Sequence, residues 1–133
     1  MEYKLLVEKA IEAKQFAHAP YSNFRVGAAL LTEDGKIITG CNVEVSSYGL
    51  TICAERNAVF KAYSDGERKF KAIAVAADTK NFISPCGACR QVISDLCGNI
   101  DVIMINVDGE YKIQKAAELL PFAFTDEELN NRK

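Results

Sequence analysis

The sequence predicts an α/β fold, a three-layer α/β/α sandwich built on a five-stranded mixed sheet. Three observations predict it. Hydrophobic periodicity switches between helical and strand patterns in the order αββαβαββα. Strands alternate with helices only in the middle of the chain, while Asp-Gly steps at 34–35 and 108–109 mark antiparallel hairpins on either side. The 133 residues hold no repeat, low-complexity tract or linker, so residues 1–133 are read as a single domain large enough for its own core.

Each element has a local reason. Over 2–18, Leu5, Leu6, Lys9, Ala13 and Phe16 fall near helical spacing, which predicts an amphipathic helix ended by Ala19-Pro20. FRVGAALLT at 24–32 reads as a buried strand, and KIITGCNV at 36–43 returns antiparallel after Asp34-Gly35. Residues 44–50 are read as a loop. A helix is predicted from about Thr51–Cys53 to Tyr63, followed by the loop residues Ser64-Asp65-Gly66. KAIAVAA at 71–77 is the third strand. Ser84-Pro85 predicts the next helix start, with serine as N-cap and proline in the first helical position. That helix is expected to stop near Cys97-Gly98. DVIMINV at 101–107 and the segment 110–114 form the second hairpin, KAAELLP is a short helix, and the tail from Thr125 is read as either helical or frayed.

Composition narrows the function classes. Hydrophobic residues make up 49% and charged residues 26%, as in ordinary globular proteins. The net charge of -2, with acidic and basic residues mixed along the chain, argues against a polyanion-binding face. The N-terminal stretch MEYKLLVEKA is charged from its second residue and is unlike a signal peptide. No uncharged run approaches the ~18 apolar residues of a membrane span. A cytoplasmic location is therefore expected. In such a reducing compartment five cysteines point to metal binding, catalysis or plain burial rather than disulfides.

Three of those cysteines form a pattern. TICAERNA at 51–58 carries Cys53, Glu55 and Arg56; SPCGACRQV at 84–92 carries Cys86 and Cys89. Thiolates suit zinc, and the C-x-x-C spacing puts Cys86 and Cys89 on one face of a first helical turn. The single histidine, His18, is read as a surface or capping group. Cys97 is ~12 Å along the helix from Cys89. Cys41 alternates with Asn42 and Glu44 on its strand and so faces away from any pocket that they line. Both are read as small core residues. Three protein ligands and an open position make the catalytic zinc pattern, whereas a closed set of four is structural. Three thiolates leave the ion with net negative charge, which works against acidifying water. Helix N-termini, each worth roughly +0.5 charge, offset this, and Arg56 and Arg90 are placed to hydrogen-bond sulfur. Glu55 is then expected to act as general acid and base. In a regular helix positions 53 and 55 point ~200° apart, so Cys53 has to lie at or before the first turn.

These segments resemble the cytidine deaminase family, and in particular its short homotetrameric nucleoside-acting branch. The residues that carry the resemblance are CAER at 53–56, PCGACRQ at 85–91, GCNVE at 40–44 and APYSNFRVGAAL at 19–30. Glu55 and Pro85 are separated by 29 residues, typical of that family. The likeness extends through ELLPFAF at 118–124. It implies one catalytic zinc per chain on Cys53, Cys86 and Cys89, with zinc-bound hydroxide attacking C4 of cytosine and Glu55 shuttling protons to N3 and to departing ammonia. It implies that Asn42 and Glu44 grip the ribose and that Phe24 packs on the pyrimidine. The Ala54 N–H and the Ser84 carbonyl would meet polar groups of the base. Phe124 and Tyr48 would reach a neighbouring subunit's site in a homotetramer. One position departs from the pattern: Val45 stands where the family usually has asparagine, and altered loop stability or affinity is expected there.

The resemblance implies hydrolytic deamination of free cytidine and deoxycytidine in pyrimidine salvage. One alternative keeps the chemistry and changes the substrate, for example to the antibiotic blasticidin S; the Asn42-x-Glu44 pair argues for a ribose instead. A polynucleotide deaminase needs a basic, aromatic channel that the composition does not offer. A non-catalytic zinc module would need a fourth ligand and gives Glu55 no purpose. No phosphate-binding glycine loop is present, and a hydrolase triad is implausible with His18 alone.

Overall fold

The computed structural model describes residues 3–121. Helix α1 (Lys4–Ala13) is followed by strands β1 (Val26–Thr32) and β2 (Ile37–Cys41), helix α2 (Ala54–Ser64), strand β3 (Phe70–Ala77), helix α3 (Gly87–Cys97), strands β4 (Asp101–Ile105) and β5 (Tyr111–Lys115), and a short helix α4 (Ala116–Leu119). The strands form one mixed sheet in the order β2-β1-β3-β4-β5. Only β3 and β4 pair in parallel, because α3 forms the crossover between them; the two hairpins and the β1–β3 pair are antiparallel.

Alternation along the strands decides what covers each face. Ala29, Ala72, Ala74, Ala76, Ile103 and Ile105 pack against Leu6, Val7 and Ala10 of α1. On the opposite face Leu30, Ile73, Val75, Val102 and Met104 pack with Ala58, Val59 and Ala62 of α2 and Ile93 of α3. The central strands are buried on both faces and therefore read as continuous apolar runs. This is the expected α/β/α sandwich.

Two glycines set how closely the helices approach. A Cβ on Gly27 would lie 2.3 Å from the Ala10 carbonyl oxygen, so α1 rests directly on the β1 backbone. A Cβ on Gly40 would lie 2.6 Å from the Ala58 nitrogen and 2.7 Å from the Ala54 oxygen, so α2 rests on β2 in the same way. The Asn57 side chain also donates to the Cys41 carbonyl at 2.8 Å. The strand that leads to Asn42 thus fixes the helix that carries Glu55.

Several boundaries differ from expectation. The first helix stops at Ala13 and tightens into a 3₁₀ turn over Lys14–Phe16, and extended backbone at Ala17 follows. His18 then pairs through its backbone with the segment beyond β2, its N–H donating to the Asn42 carbonyl and its carbonyl accepting from the Glu44 N–H. Tertiary pairing here overrides the helical spacing of the sequence. Helix α3 starts later than Ser84-Pro85 suggests. Its N-cap is Cys86, whose sulfur accepts from the Cys89 N–H at 3.5 Å and so takes the role expected of serine. The predicted tail from Thr125 and Phe124 lie outside the described residues.

Candidate active site

Cys53 is the N-cap of α2, with extended backbone at φ -72 and ψ 156. It is outside the helical repeat, which resolves the opposed directions of positions 53 and 55. Cys86 caps α3 in the same conformation, and Cys89 lies one turn into that helix. The two helix starts meet. The Cys53 and Cys86 sulfurs are 3.8 Å apart, those of Cys86 and Cys89 3.3 Å, and all three lie within 4.8 Å of one another.

This donor set fits zinc. A tetrahedral ion bound at ~2.3 Å by each sulfur separates the sulfurs by about 3.8 Å. Cys53, Cys86 and Cys89 are the one such ligand group among the described residues. His18, Cys41 and Cys97 do not belong to it. Burial pushes the Cys97 thiol up to about 12 and also raises that of Cys41, as suits small core residues.

Charge at the site is arranged around the sulfurs. The Cys53 thiol is shifted well below its ordinary range by the Cys89 thiol beside it and by Arg56, whose guanidinium donates to the Cys53 sulfur at 3.4 Å. Cys89, buried and beside the Cys53 sulfur, is raised instead. Arg90 does not join Arg56. It donates to the Leu119 carbonyl at 2.9 Å and satisfies the carboxyl end of α4.

Glu55 is 5% exposed and lines a cavity of about 210 Å³ beside this group. Burial, with the Cys53 sulfur adding to it, pushes its carboxyl up to about 7. Phe24, Val26, Val75, Ala77 and Ile83 give the cavity apolar walls, while Ala54, Ser84 and Pro85 stand near the sulfurs. Asn42 and Glu44 line it too, and Cys41 does not, although both lie just beyond the end of β2, where extended pairing through Val43 continues. The Asn42 amide donates to the Phe24 carbonyl at 2.8 Å and accepts from the Val26 N–H at 2.9 Å.

Glu44 is 4% exposed and takes its partners from one turn. The Tyr21 and Ser22 N–H groups donate to Oε1 at 3.0 and 3.1 Å, and the Ser22 hydroxyl donates to Oε2. Ser22 and Thr51 line the cavity without having been singled out in the sequence. Hydroxyl residues in loops are too common for sequence to mark them. Val45 lies outside the cavity wall, and its N–H donates to the Thr51 hydroxyl at 3.2 Å. The side chain of Tyr48 is outside what the structure describes.

Comparison with known proteins gives a consistent result. The family model for the cytidine and deoxycytidylate deaminase zinc-binding region matches residues 1–105. The cytidine deaminase of Halalkalibacterium halodurans is 52% identical over 132 residues, covering 98% of this chain and 100% of that protein. The cytidine deaminase of Sporosarcina psychrophila is 52% identical over 131 residues, covering 98% and 96%. A crystal structure of cytidine deaminase from Burkholderia pseudomallei superposes with a TM-score of 0.90 at 50% identity, covering 93% of this chain and 100% of that one.

Proposed function

The chain belongs to the cytidine and deoxycytidylate deaminase family, and from that premise we propose that it hydrolyses free cytidine and deoxycytidine to uridine and deoxyuridine with release of ammonia. The observation that carries this reading is a buried carboxyl, Glu55, beside a three-sulfur group, in a cavity that Asn42 and Glu44 also line. Cys53, Cys86 and Cys89 hold zinc, which supplies a Lewis acid that makes water a nucleophile near neutral pH.

The remaining work belongs to the chain's own groups. Asn42 and Glu44 bind the ribose and orient the base. Phe24 packs on the ring. The Ala54 N–H and the Ser84 carbonyl fix its polar edge. Glu55 takes a proton from the attacking water, delivers it to N3, and passes a proton to the amino group leaving C4. Water oxygen replaces nitrogen at C4, and ammonia departs. Burial suits Glu55 to this work, since a carboxyl near 7 holds or yields a proton at little cost. Arg56 draws charge from Cys53 and keeps the metal electrophilic.

Residues 1–133 act as one catalytic unit, and four copies assemble so that Phe124 and Tyr48 reach a neighbour's cavity. Exposed Val43 and Phe60, beside Gly40 and Cys41, support contact with a second copy. Sedimentation showing only monomer at full activity would overturn this sharing. A salvage role in the cytoplasm accords with five free thiols, and no helix among the described residues is long and apolar enough to cross a membrane.

The test is ammonia release from cytidine by zinc-loaded protein, with Glu55→Gln as comparison. Release by wild type, with nearly all turnover lost in the variant, is the expected outcome. Substantial turnover in Glu55→Gln removes Glu55 from the mechanism. No release from wild type carrying one zinc per chain moves the reading to other aminated heterocycles, blasticidin S first.

A further inference from the structure

We propose that Ser22 is a positioning residue for nucleoside binding, locking the Glu44 carboxylate and the Phe24 backbone into one unit; this rests on the ribose-binding reading of Glu44 above. A buried carboxylate needs hydrogen-bond donors to stay ionised in place. Glu44 receives three, from the Tyr21 N–H, the Ser22 N–H and the Ser22 hydroxyl. Ser22 therefore supplies two of the three, one of them through its side chain.

The same hydroxyl oxygen accepts from the Phe24 N–H at 3.1 Å. Asn42 closes the loop by donating to the Phe24 carbonyl at 2.8 Å. Asn23, between Ser22 and Phe24, has φ 55, a left-handed conformation that asparagine tolerates better than most residues. This turn aims the Ser22 hydroxyl inward at Glu44 although Ser22 itself is exposed. The Ser22 hydroxyl is also the leading cause holding the Glu44 carboxyl below its ordinary value.

The arrangement leaves Glu44 little freedom. A carboxylate accepts at about four lone-pair sites. With three occupied by the turn, about one remains for a ligand hydroxyl, in a fixed direction. Removing the Ser22 hydroxyl frees Oε2 to rotate and loosens Phe24 at once. Binding should suffer more than the chemical step, because the hydrogen bonds of Ser22 go to Glu44 and Phe24.

Because Ser22 is exposed, Ser22→Ala is expected to fold, and Ser22→Thr keeps the hydroxyl. Ammonia release is measured for both variants and wild type, each zinc-loaded, with cytidine and with 2′,3′-dideoxycytidine. The expected result is a KM for cytidine raised about tenfold in Ser22→Ala, with kcat within about twofold. Ser22→Thr should restore most of the affinity. With 2′,3′-dideoxycytidine, which offers Glu44 no hydroxyl on the ring, the loss of kcat/KM in Ser22→Ala should be clearly smaller than with cytidine, because only the part carried through Phe24 remains. An unchanged KM for cytidine, or an equal loss on both nucleosides, overturns the proposal while leaving the deaminase reading intact. No release from cytidine by wild type strikes the deaminase reading itself, and the Ser22 proposal falls with it.

Discussion

At the scale of single residues, the site depends on the two ends of short loops. Val45 is an example. Its backbone N–H is tied to the Thr51 hydroxyl, and Val43 and Ile52 pair beside it, so the loop is closed without help from the side chain at 45. An asparagine at 45 would add a second tie to backbone. Val45→Asn is therefore expected to lower KM for cytidine about twofold to threefold, or to raise Tm by a few degrees, with kcat unchanged. Steady-state kinetics with a thermal melt checks this, and no change in either sinks it. Cys53 shows how much one conformation decides. Its extended backbone places it outside the helix, and only there do its sulfur and the Glu55 carboxyl serve one cavity.

At the scale of elements, two helix starts carry the three-sulfur group, and one strand fixes the first of them. Gly40 lets the α2 backbone rest on β2, with no room for a methyl group. The neighbouring atoms are backbone, so they cannot rotate away. Gly40→Ala should cost about 2 kcal/mol through overpacking, a fall of roughly 5–10 °C in Tm. It should also lower kcat, because the displaced helix carries Glu55 and Arg56 and is capped by Cys53. A melt and a rate measurement on the zinc-loaded variant check both parts. A normal Tm would show that α2 slides without cost. Helix α3 differs from the sequence reading in its start. Ser84-Pro85 has the composition of a cap, but Cys86 takes that place, its sulfur accepting the N–H of Cys89. The residue that caps the helix also belongs to the three-sulfur group.

At the scale of the whole molecule, distant segments are joined by a few polar ties. The Tyr3 hydroxyl donates to Asp101 at 2.6 Å across 98 positions of sequence, and Lys115 pairs with the same carboxylate at 2.9 Å. Tyr3, followed by Lys115, holds the Asp101 carboxyl below its ordinary value. A carboxyl depressed in the folded state adds stability above its unfolded value of about 3.9 and loses it as pH falls through the folded value. Asp101→Asn should thus be less stable than wild type by about 1 kcal/mol at pH 7. The difference should shrink on acidification below about pH 4. Denaturant melts at several pH values check this, and a difference that persists unchanged in acid contradicts it.

The sequence by itself determined the order of elements, the two hairpins and the two short motifs that hold Cys53, Glu55, Cys86 and Cys89. It did so because these depend on local pattern: period, turn chemistry and the spacing of reactive side chains within a few positions. The alternation of Asn42 and Glu44 against Cys41 was legible for the same reason. Only the tertiary structure decided that the first helix stops at Ala13, since the competing partner of His18 lies beyond β2. Only it turned Arg56 to sulfur and Arg90 to Leu119, two arginines that look equivalent in their motifs. Ser22 was invisible for the same physical reason: its role comes from a carboxylate 22 positions away. Local periodicity reports what a residue prefers, and burial against distant groups decides which partner it meets.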